Sequence, residues 1–312
     1  MIFKTSEKYK QALLATLLHI QTHLDEDLSL AMLAEKAGFS AHHFHRIFRE
    51  VIGEPVKKYV RRLRLEKAAY RLKVSEETIL KIALEAGFKT HESFTRAFER
   101  QFAINPNEYR TNFLQTSKER KKQIYPKYAE AFDLKNDSGL LPNGATAKQV
   151  RVEHVRPIIV AFVRHVGAYD SVLAKGSPLS ALWDELFQWG NANKLINAES
   201  LLLGIPQDDP SVTPLEKQRF DVCVQIPEFR NPSGHIGCQT IQAGLFGVGR
   251  HYGSFENLTD TYMHIYDALI TSGKYRLCAQ TPFEVYNHSL VRDDIRIHYT
   301  DIYLPIEMAE KK

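Results

Sequence analysis

The first hundred residues place their apolar side chains three and four positions apart, which is the spacing of amphipathic α-helices. This pattern predicts helices at 7–24, 30–37 and 41–51 and a long basic helix at 57–73. Gly38 lies between the second and third helices, where a tight turn needs a positive φ that glycine adopts at little cost. Two short helices joined by such a turn predict a helix-turn-helix unit.

The same pattern returns later in the chain, at an offset of 49 to 50 residues. The Ala37-Gly38-Phe39 turn recurs as Ala86-Gly87-Phe88, and four further residues recur as Phe44 and Phe94, Arg46 and Arg96, Phe48 and Phe98, and Tyr59 and Tyr109. A fixed offset indicates an internal duplication. The sequence therefore predicts two helix-turn-helix units, each with one helix that reads base edges in the major groove.

The helix between the two copies is rich in basic residues, namely Lys57, Lys58, Arg61, Arg62, Arg64, Lys67, Arg71 and Lys73. As a group they are expected to contact DNA phosphates, and the alternative is an ordinary solvated helix face. A helix of roughly 16 residues spans about 24 Å, at ~1.5 Å per residue. That length can hold two reading helices about one DNA turn, ~34 Å, apart.

From residue 150 onward the apolar period changes to two, which is typical of half-buried β-strands. Strands are predicted in VRVEHV, PIIVAFVRHV, FDVCVQI, AGLFGVGRHY, PFEVYNH and RIHYTDIYLPI, with helices at 178–195 and 255–271. RHVGAY at 164–169 is echoed 86 positions later by RHYGSF at 250–255. The fold class predicted is multidomain, with an all-α double helix-turn-helix domain followed by an α+β domain built from two pseudo-symmetric halves.

A charge run and turn-forming residues separate these two regions. The sequence KERKK at 118–122 precedes Asp-Ser-Gly at 137–139 and Pro-Asn-Gly at 142–144. We therefore expect a helical domain at 1–114, a linker at 115–149 and an α+β domain at 150–308.

Charge divides along nearly the same boundary. The formal net charge of +4 combines 23 Lys and Arg against 15 Asp and Glu in residues 1–125 with 18 against 22 in the rest of the chain. A basic module joined to a neutral or acidic one is typical of nucleic-acid binding combined with a second task. Double-stranded DNA is thus an expected partner.

Metal, cofactor and membrane chemistry are not expected. The three cysteines lack Cys-x-x-Cys spacing, and His42, His43 and His45 lack a nearby group that would complete a tetrahedral metal site. The apolar run at 12–20 is shorter than a membrane span. We expect a soluble cytoplasmic protein with no bound metal or cofactor and no membrane contact.

Glu284 is the candidate for ligand chemistry in the second region. Alternation along PFEVY predicts Glu284 and Tyr286 on one side of a strand, with Phe283 and Val285 on the other. A carboxylate among aromatic residues needs a partner if it is buried. Three interpretations stay open: an anchor for a cationic ligand, an exposed strand carboxylate, and an internal ion pair.

The N-terminal motifs resemble the DNA-binding domain of AraC/XylS transcription regulators. The resemblance covers about residues 8–112 and rests on the duplicated helix-turn-helix, the two Ala-Gly-Phe turns and the closing motif FxxxFxxNPxEYR at 98–110. It implies base contacts from His42, His45, Arg46, His91, Glu92, Thr95 and Arg96. Phosphate contacts are expected from Arg49, Lys57, Lys58 and Arg61.

The C-terminal motifs resemble the GyrI-like small-molecule-binding domain. This resemblance covers about residues 150–308 and rests on RHVGAY, the helix SALWDELFQWGNANKL, RHYGSF, PFEVY and DIYLPI. It implies an effector pocket centred on Glu284. The other pocket residues expected are Tyr286, Asp301, Tyr303, Trp183 and Tyr169.

Together these patterns predict a transcription regulator rather than an enzyme. It is expected to be an activator that contacts RNA polymerase, with a small lipophilic or cationic effector bound in its C-terminal domain. Two alternatives stay open for that domain. It could be a hydrolase of reactive small molecules that uses Glu284 as a base, or a module that binds a protein partner.

Overall fold

The structure, a computed structural model, describes residues 7–113, 150–167, 179–230, 234–252, 258–278, 280–292 and 295–309. The chain divides into two compact units, one of residues 1–110 with 230–238 and the other of 111–229 with 239–312. The linker expected at 115–149 lies outside the described residues. Each unit is therefore considered separately.

The first unit is helical, as the apolar spacing predicts. Its helices are α1 (Glu7–Thr22), α2 (Leu30–Lys36), α3 (Ala41–Ile52), α4 (Val56–Val74), α5 (Ile79–Glu85) and α6 (His91–Phe102), and a further helix occupies 106–113. Phe44, Phe48, Tyr59 and Leu63 are buried in one core with residues of α1 and α2. The prediction of two helix-turn-helix units is confirmed, with α2 and α3 forming the first and α5 and α6 the second.

Local sequence fixes where these short helices begin. Ser29 and Ser40 accept hydrogen bonds at the starts of α2 and α3, and Thr78 and Thr90 do so at the starts of α5 and α6. Such caps satisfy backbone N–H groups that the first helical turn leaves without partners. Gly38 and Gly87, in the two turns, have φ angles of 72° and 75°, which confirms the reason for glycine there.

The second unit is built on one antiparallel sheet. The strands of this sheet are β1 (Arg151–Val155), β2 (Ile158–Val166), β3 (Leu202–Pro206), β4 (Arg219–Gln225), β5 (Ile236–Ile241), β6 (Gly244–Tyr252), β7 (Tyr275–Leu277), β8 (Phe283–Arg292) and β9 (Ile295–Met308). All lie within the second unit except the first three residues of β5, which belong to the 230–238 segment of the first. Helices Leu179–Ala192 and Leu258–Thr271 complete the second unit, and we name them helix 179–192 and helix 258–271. The α+β class is confirmed, although the sequence pattern does not predict β3, β5 and β7.

The strand order confirms the pseudo-symmetry. Reading across the sheet, the order is β1-β6-β9-β8-β3-β4-β2-β5, with β7 paired to β9. The two halves meet at β8 and β3, and apart from β7 each strand on one side has its counterpart at the same distance on the other. The outermost strands are exchanged, because β1 pairs with β6 of the second half and β5 lies beside β2 of the first.

Both helices of the second unit pack on the same face of this sheet, which we call the helix face. A Cβ added to Gly247 would lie 2.5 Å from Leu269, and one added to Gly249 would lie 2.5 Å from Ile265. Helix 258–271 thus sits directly on the backbone of β6. The alternation of strand side chains decides which residues reach this face.

The two helix-turn-helix units differ in the backbone strain at the end of the reading helix. The first reading helix ends at Gly53 with a φ of 79°, whereas the second ends at Ala103 with a φ of 57°. A left-handed conformation costs an L-residue roughly 1–2 kcal/mol, while glycine adopts it freely. Because a Cβ added to Gly53 would meet no neighbouring atom within 4 Å, only the backbone conformation disfavours a side chain there.

We therefore expect Ala103→Gly to raise the free energy of unfolding by about 0.5–1 kcal/mol, since relief of strain exceeds the added entropy of the unfolded chain. Gly53→Ala, the matched control, should lower it by a similar amount. Urea unfolding followed by circular dichroism measures both. A destabilised Ala103→Gly variant would contradict this explanation.

Candidate nucleic-acid interface and ligand pocket

The two reading helices, α3 and α6, are held by the same aromatic packing. Phe44 and Phe48 have ring centroids 5.7 Å apart, and Phe48 lies 5.4 Å from Tyr59. In the second copy Phe94 lies 5.5 Å from Phe98, which lies 5.4 Å from Tyr109. The apolar side of each helix is thereby fixed, and its polar side is left to solvent.

On α3 the structure exposes most of the residues predicted to read bases. His42, Arg46 and Arg49 are exposed and His45 is half-buried. Arg46 Nη1 lies 3.5 Å from Glu50 Oε1, in an ion pair whose two side chains are both about half exposed to solvent, so the guanidinium remains available to a base. The neighbouring His43 instead packs edge-on against the rings of Tyr9 and Phe39.

On α6 the exposed residues are His91, Glu92 and Arg96. Hydrogen bonds from its own backbone N–H and from the Thr90 hydroxyl lower the pKa of Glu92, so this carboxylate is ionised at neutral pH. Thr95 is half-buried, and its hydroxyl oxygen is covered without a partner among the described residues. A base contact from Thr95 would therefore use its methyl group, unless the side chain rotates.

The basic helix α4 does not act as one phosphate-binding surface, so the expectation for the whole group is wrong. Lys57, Lys58, Arg61 and Lys67 are exposed. Arg62 is buried and donates to Glu54, at 2.8 Å and 3.0 Å, and to Glu66 at 3.1 Å. A guanidinium has to be paired when it is buried, and here the pairing ties the start of α4 to the preceding loop.

Arg64 and Arg71, both also in α4, have structural partners as well. Arg64 donates to the backbone oxygens of Leu24, at 2.7 Å, and Glu26, at 2.6 Å. Arg71 is paired with Glu77 and Glu85. Charge counting along the sequence could not separate these residues from the exposed ones, because the separation depends on which side of α4 faces the core.

The candidate ligand pocket is centred on Glu284 of β8, whose side chain is only 2% exposed. The Tyr286 hydroxyl donates to Glu284 Oε2 at 2.6 Å, and the Tyr262 hydroxyl, from helix 258–271, donates to Oε1 at 2.8 Å. Burial raises the pKa of Glu284 above its ordinary value of 4.5, although the two hydroxyls oppose the shift. The interpretation of Glu284 as an exposed strand carboxylate is therefore wrong.

Tyr262 was missed by the sequence analysis, because the repeat's offset of 86 positions aligns it with Gly176, and only the helix bounds in the structure reveal its counterpart. The helices Leu179–Ala192 and Leu258–Thr271 each have 14 residues and start 79 positions apart. That offset aligns Tyr262 with Trp183, whose indole lies 6.2 Å from the Tyr286 ring in an edge-on contact. The pseudo-symmetry thus places one aromatic residue from each helix around Glu284 and Tyr286.

Gly204 lies directly opposite Glu284 where the two halves meet. It pairs with Glu284 across β3 and β8. A Cβ at this position would overlap the Tyr286 hydroxyl and would lie 2.6 Å from Phe220 Cζ. The absence of a side chain at Gly204 therefore makes the room in which Tyr286 reaches the carboxylate.

Asp301 and Tyr303, which were predicted to lie near Glu284, lie on the opposite face of the sheet. The register pairs Glu284 with Ile302 and Val285 with Asp301, so alternation points Asp301 and Tyr303 away from the helix face. Asp301 is held by Arg250 in a bidentate pair at 2.7 Å and 2.8 Å. The Tyr303 ring stacks on Phe283 at 4.4 Å.

The Arg250–Asp301 pair has a counterpart in the first half, where Arg164 donates to both oxygens of Asp221 at 2.6 Å. Both pairs join residues directly opposite each other on neighbouring strands. This repetition marks them as structural ion pairs that cross-link equivalent strands.

Tyr169, the remaining predicted pocket residue, lies outside the described residues. Among the residues that the structure describes, no cluster of three or more His, Cys, Asp or Glu has the arrangement of a metal site. Within the same ranges, no helix combines the length and the apolarity needed to cross a membrane.

Two family models match the chain. The model for a GyrI-like small molecule binding domain matches residues 148–307, just over half of the chain, and the model for a helix-turn-helix domain matches residues 33–112. The two matches fall on the sheet-containing and the helical unit respectively.

Curated relatives align with about a third of the chain. The Right origin-binding protein of Escherichia coli (strain K12) is 44% identical over 94 residues, which are 30% of this chain and 32% of the relative. The chain thus spans about a third of that relative's length. The Transposon Tn10 TetD protein of Escherichia coli is 43% identical over 98 residues, and the regulatory protein SoxS of Salmonella typhimurium is 35% identical over 101 residues.

Two solved structures are similar to parts of the chain. A transcriptional regulator with an AraC-type DNA-binding domain from Chromobacterium violaceum is 28% identical and covers 35% of this chain, with a TM-score of 0.32. The EcmrR C-terminal domain is 18% identical and covers 52% of this chain, with a TM-score of 0.43.

The aligned segments cover 71% of TetD and 94% of SoxS, and the second unit matches its family model from strand β1 to strand β9. From these matches and the duplicated helix-turn-helix, the chain belongs to the AraC-type helix-turn-helix regulators and carries a C-terminal GyrI-like small-molecule-binding domain.

Proposed function

We propose that this protein is a sequence-specific, DNA-binding transcription activator that responds to a small lipophilic or cationic effector bound beside Glu284. The observation that carries the proposal is a buried carboxylate whose oxygens are held by tyrosine hydroxyls, in a chain that also presents two reading helices. The domain boundaries at 1–114, 115–149 and 150–308 belong to this proposal. So do a cytoplasmic location and contact with RNA polymerase.

DNA recognition divides between two kinds of contact. The exposed Arg46 and Arg96, at equivalent positions of α3 and α6, can each form a bidentate contact with the O6 and N7 atoms of guanine. Exposed Lys57, Lys58 and Arg61, together with Arg49, contact phosphates and supply affinity that does not depend on sequence. Two reading helices in one chain allow a monomer to contact two successive turns of the major groove.

Effector binding uses the electrostatics of a buried acid. A carboxylate that has lost water and retains only two hydroxyl donors attracts a cation strongly, because the surroundings screen the charge weakly. Aromatic faces from Trp183, Tyr262 and Tyr286 add cation–π attraction. A ligand that takes the place of the Tyr262 hydroxyl also removes the hydrogen bond between helix 258–271 and Glu284 of the sheet. Effector binding can thereby change the position of this helix.

We expect Glu284→Gln to weaken binding of a lipophilic quaternary ammonium compound by about 2 kcal/mol or more, roughly 30-fold, while binding of its neutral carbon isostere changes little. The pKa of Glu284 is raised by burial, so its carboxyl loses its proton above pH 4.5. Affinity for the cation should therefore rise with pH through this range, and the variant should show no such rise. Isothermal titration calorimetry from pH 4.5 to pH 8 measures both effects.

Equal losses for the cation and its isostere would contradict a charge-based site. Multiple turnover of the ligand by the wild-type protein, abolished in Glu284→Gln, would favour the hydrolase alternative, for which a carboxyl of raised pKa is a suitable base. A sensor instead binds one equivalent and changes promoter output.

The crowding at Gly204 supplies an independent test of the pocket. Gly204→Ala should displace the Tyr286 hydroxyl and Phe220, lowering the free energy of unfolding by about 1–3 kcal/mol and weakening effector binding. Gly244→Ala is the control, since its added Cβ meets the flexible end of the Gln280 side chain at 2.9 Å. Unchanged effector affinity in a folded Gly204→Ala variant would count against Tyr286 as a pocket residue.

Arg46→Ala should cost about 1–3 kcal/mol at one base pair of the operator and relax sequence preference at that position. Lys58→Ala should instead weaken binding to all sequences alike and make the dependence of affinity on salt concentration less steep by about one counterion. Fluorescence anisotropy with operator variants at several salt concentrations separates the two effects. An Arg46→Ala variant with an unchanged operator preference would refute the proposed docking of α3.

A further inference from the structure

The two reading helices are copies that keep one exposed residue and differ at another. Each has 12 residues, and they start 50 positions apart, at Ala41 and His91. This offset aligns Arg46 with Arg96 and His42 with Glu92. All four residues lie on the exposed side of their helices. The arginines give the two helices the same chemistry toward DNA, whereas the histidine and the glutamate give them different chemistry.

Glu92 is the second residue of α6, whose start is fixed by a capping box. The Thr90 side chain accepts from Ser93 N at 3.1 Å, and the Ser93 hydroxyl oxygen accepts from Thr90 N at 3.4 Å, so the start of the helix is fixed from both sides. The Glu92 side chain is exposed, and hydrogen bonding with its own backbone N–H and with Thr90 lowers its pKa, so it is ionised. The N-terminal residues of a reading helix are those that meet base edges, so this carboxylate is placed where it reaches bases.

An ionised carboxylate has acceptors only, so it requires a donor on the base. In the major groove the donors are the N4 amino group of cytosine and the N6 amino group of adenine. The adenine amino group lies between two acceptors, adenine N7 and thymine O4, whereas the cytosine amino group has an acceptor, guanine O6, on one side only. Electrostatic repulsion therefore disfavours adenine, and Glu92 matches cytosine.

The histidine at the equivalent position of α3 has a different chemistry. A neutral imidazole offers one donor and one acceptor, so His42 accepts several base edges that a carboxylate rejects. Glu92 also repels phosphates and the two acceptors of guanine, which reduces binding to wrong sequences at the same time. Arg96, one turn further along α6, is close enough to contribute to the lowered pKa of Glu92.

We propose that Glu92 makes the second reading helix select a cytosine next to the base pair read by Arg96, a selection that His42 does not impose at the first half-site. The operator then consists of two half-sites that share a guanine contact and differ at the neighbouring position. This inference rests on the proposed docking of α6 in the major groove.

The test measures base preference at each operator position, with the full-length protein and a randomised DNA library, followed by anisotropy on single-base variants. The wild-type protein should prefer cytosine at one position of the second half-site by roughly 5- to 100-fold. Glu92→Gln should shift this preference to adenine, because an amide matches adenine N6 and N7. Glu92→His should make the second half-site resemble the first.

Glu99→Gln is the matched control, since it removes the same charge from the same helix at an exposed position two turns further on. Both glutamine variants should bind non-cognate DNA more tightly, but only Glu92→Gln should change the preferred base. A preference that is the same in the wild-type protein, Glu92→Gln and Glu92→His overturns the inference about Glu92.

Arg96→Ala distinguishes this failure from a failure of the docking. If Arg96→Ala loses preference in the second half-site while the Glu92 variants do not, α6 docks as proposed and Glu92 has no reading role. If none of these variants changes the second half-site, the docking itself is refuted. Circular dichroism of each variant establishes that α6 is still folded.

Discussion

A carboxylate can be buried in a sheet only if other groups replace the water it loses, and this constraint shapes the second unit. At Glu284 two tyrosine hydroxyls replace that water. One of them belongs to the same strand and the other to helix 258–271, so the helix must lie where its hydroxyl can reach β8. The strand opposite must in turn leave room for Tyr286, and it does so with Gly204. The packing of helix 258–271, β8 and β3 around Glu284 therefore follows from the need to bury this one carboxylate.

Duplication explains much of the remaining architecture, and the places where the copies differ are the informative ones. The aromatic packing under α3 and α6 is nearly identical, as are the Arg164–Asp221 and Arg250–Asp301 pairs. Such features maintain the fold and are kept in both copies. Glu284 has no acidic counterpart, because its position in the first half is Gly204, which lies beside it. The candidate ligand-binding carboxylate therefore lies on the pseudo-symmetry axis. Equivalent residues of the two halves are neighbours there, so there is room for only one such side chain.

The sequence was sufficient to predict the helices, the glycine turns and most strands, because periodicity and capping are local. It was insufficient for β3, β5 and β7, which lack a clear alternation of apolar and polar residues, and for Asp301, whose side of the sheet depends on the register with β8. Charge counting overestimated the phosphate-binding surface, since Arg62 and Arg64 lie where α4 meets the core or a backbone loop. In each case the missing information was a tertiary pairing, which no local pattern contains.

The exchange of outer strands has a consequence for how this protein is made. β1 is synthesised before its partner β6, and 88 residues separate Val155 from Gly244. At translation rates of about 5–20 residues per second, β1 is synthesised on the order of ten seconds before its pairing partner β6. Contacts so distant in sequence slow folding, because the intervening chain must be ordered first. The sheet therefore closes only after nearly the whole unit has left the ribosome, whereas each helix-turn-helix can form from neighbouring residues long before that.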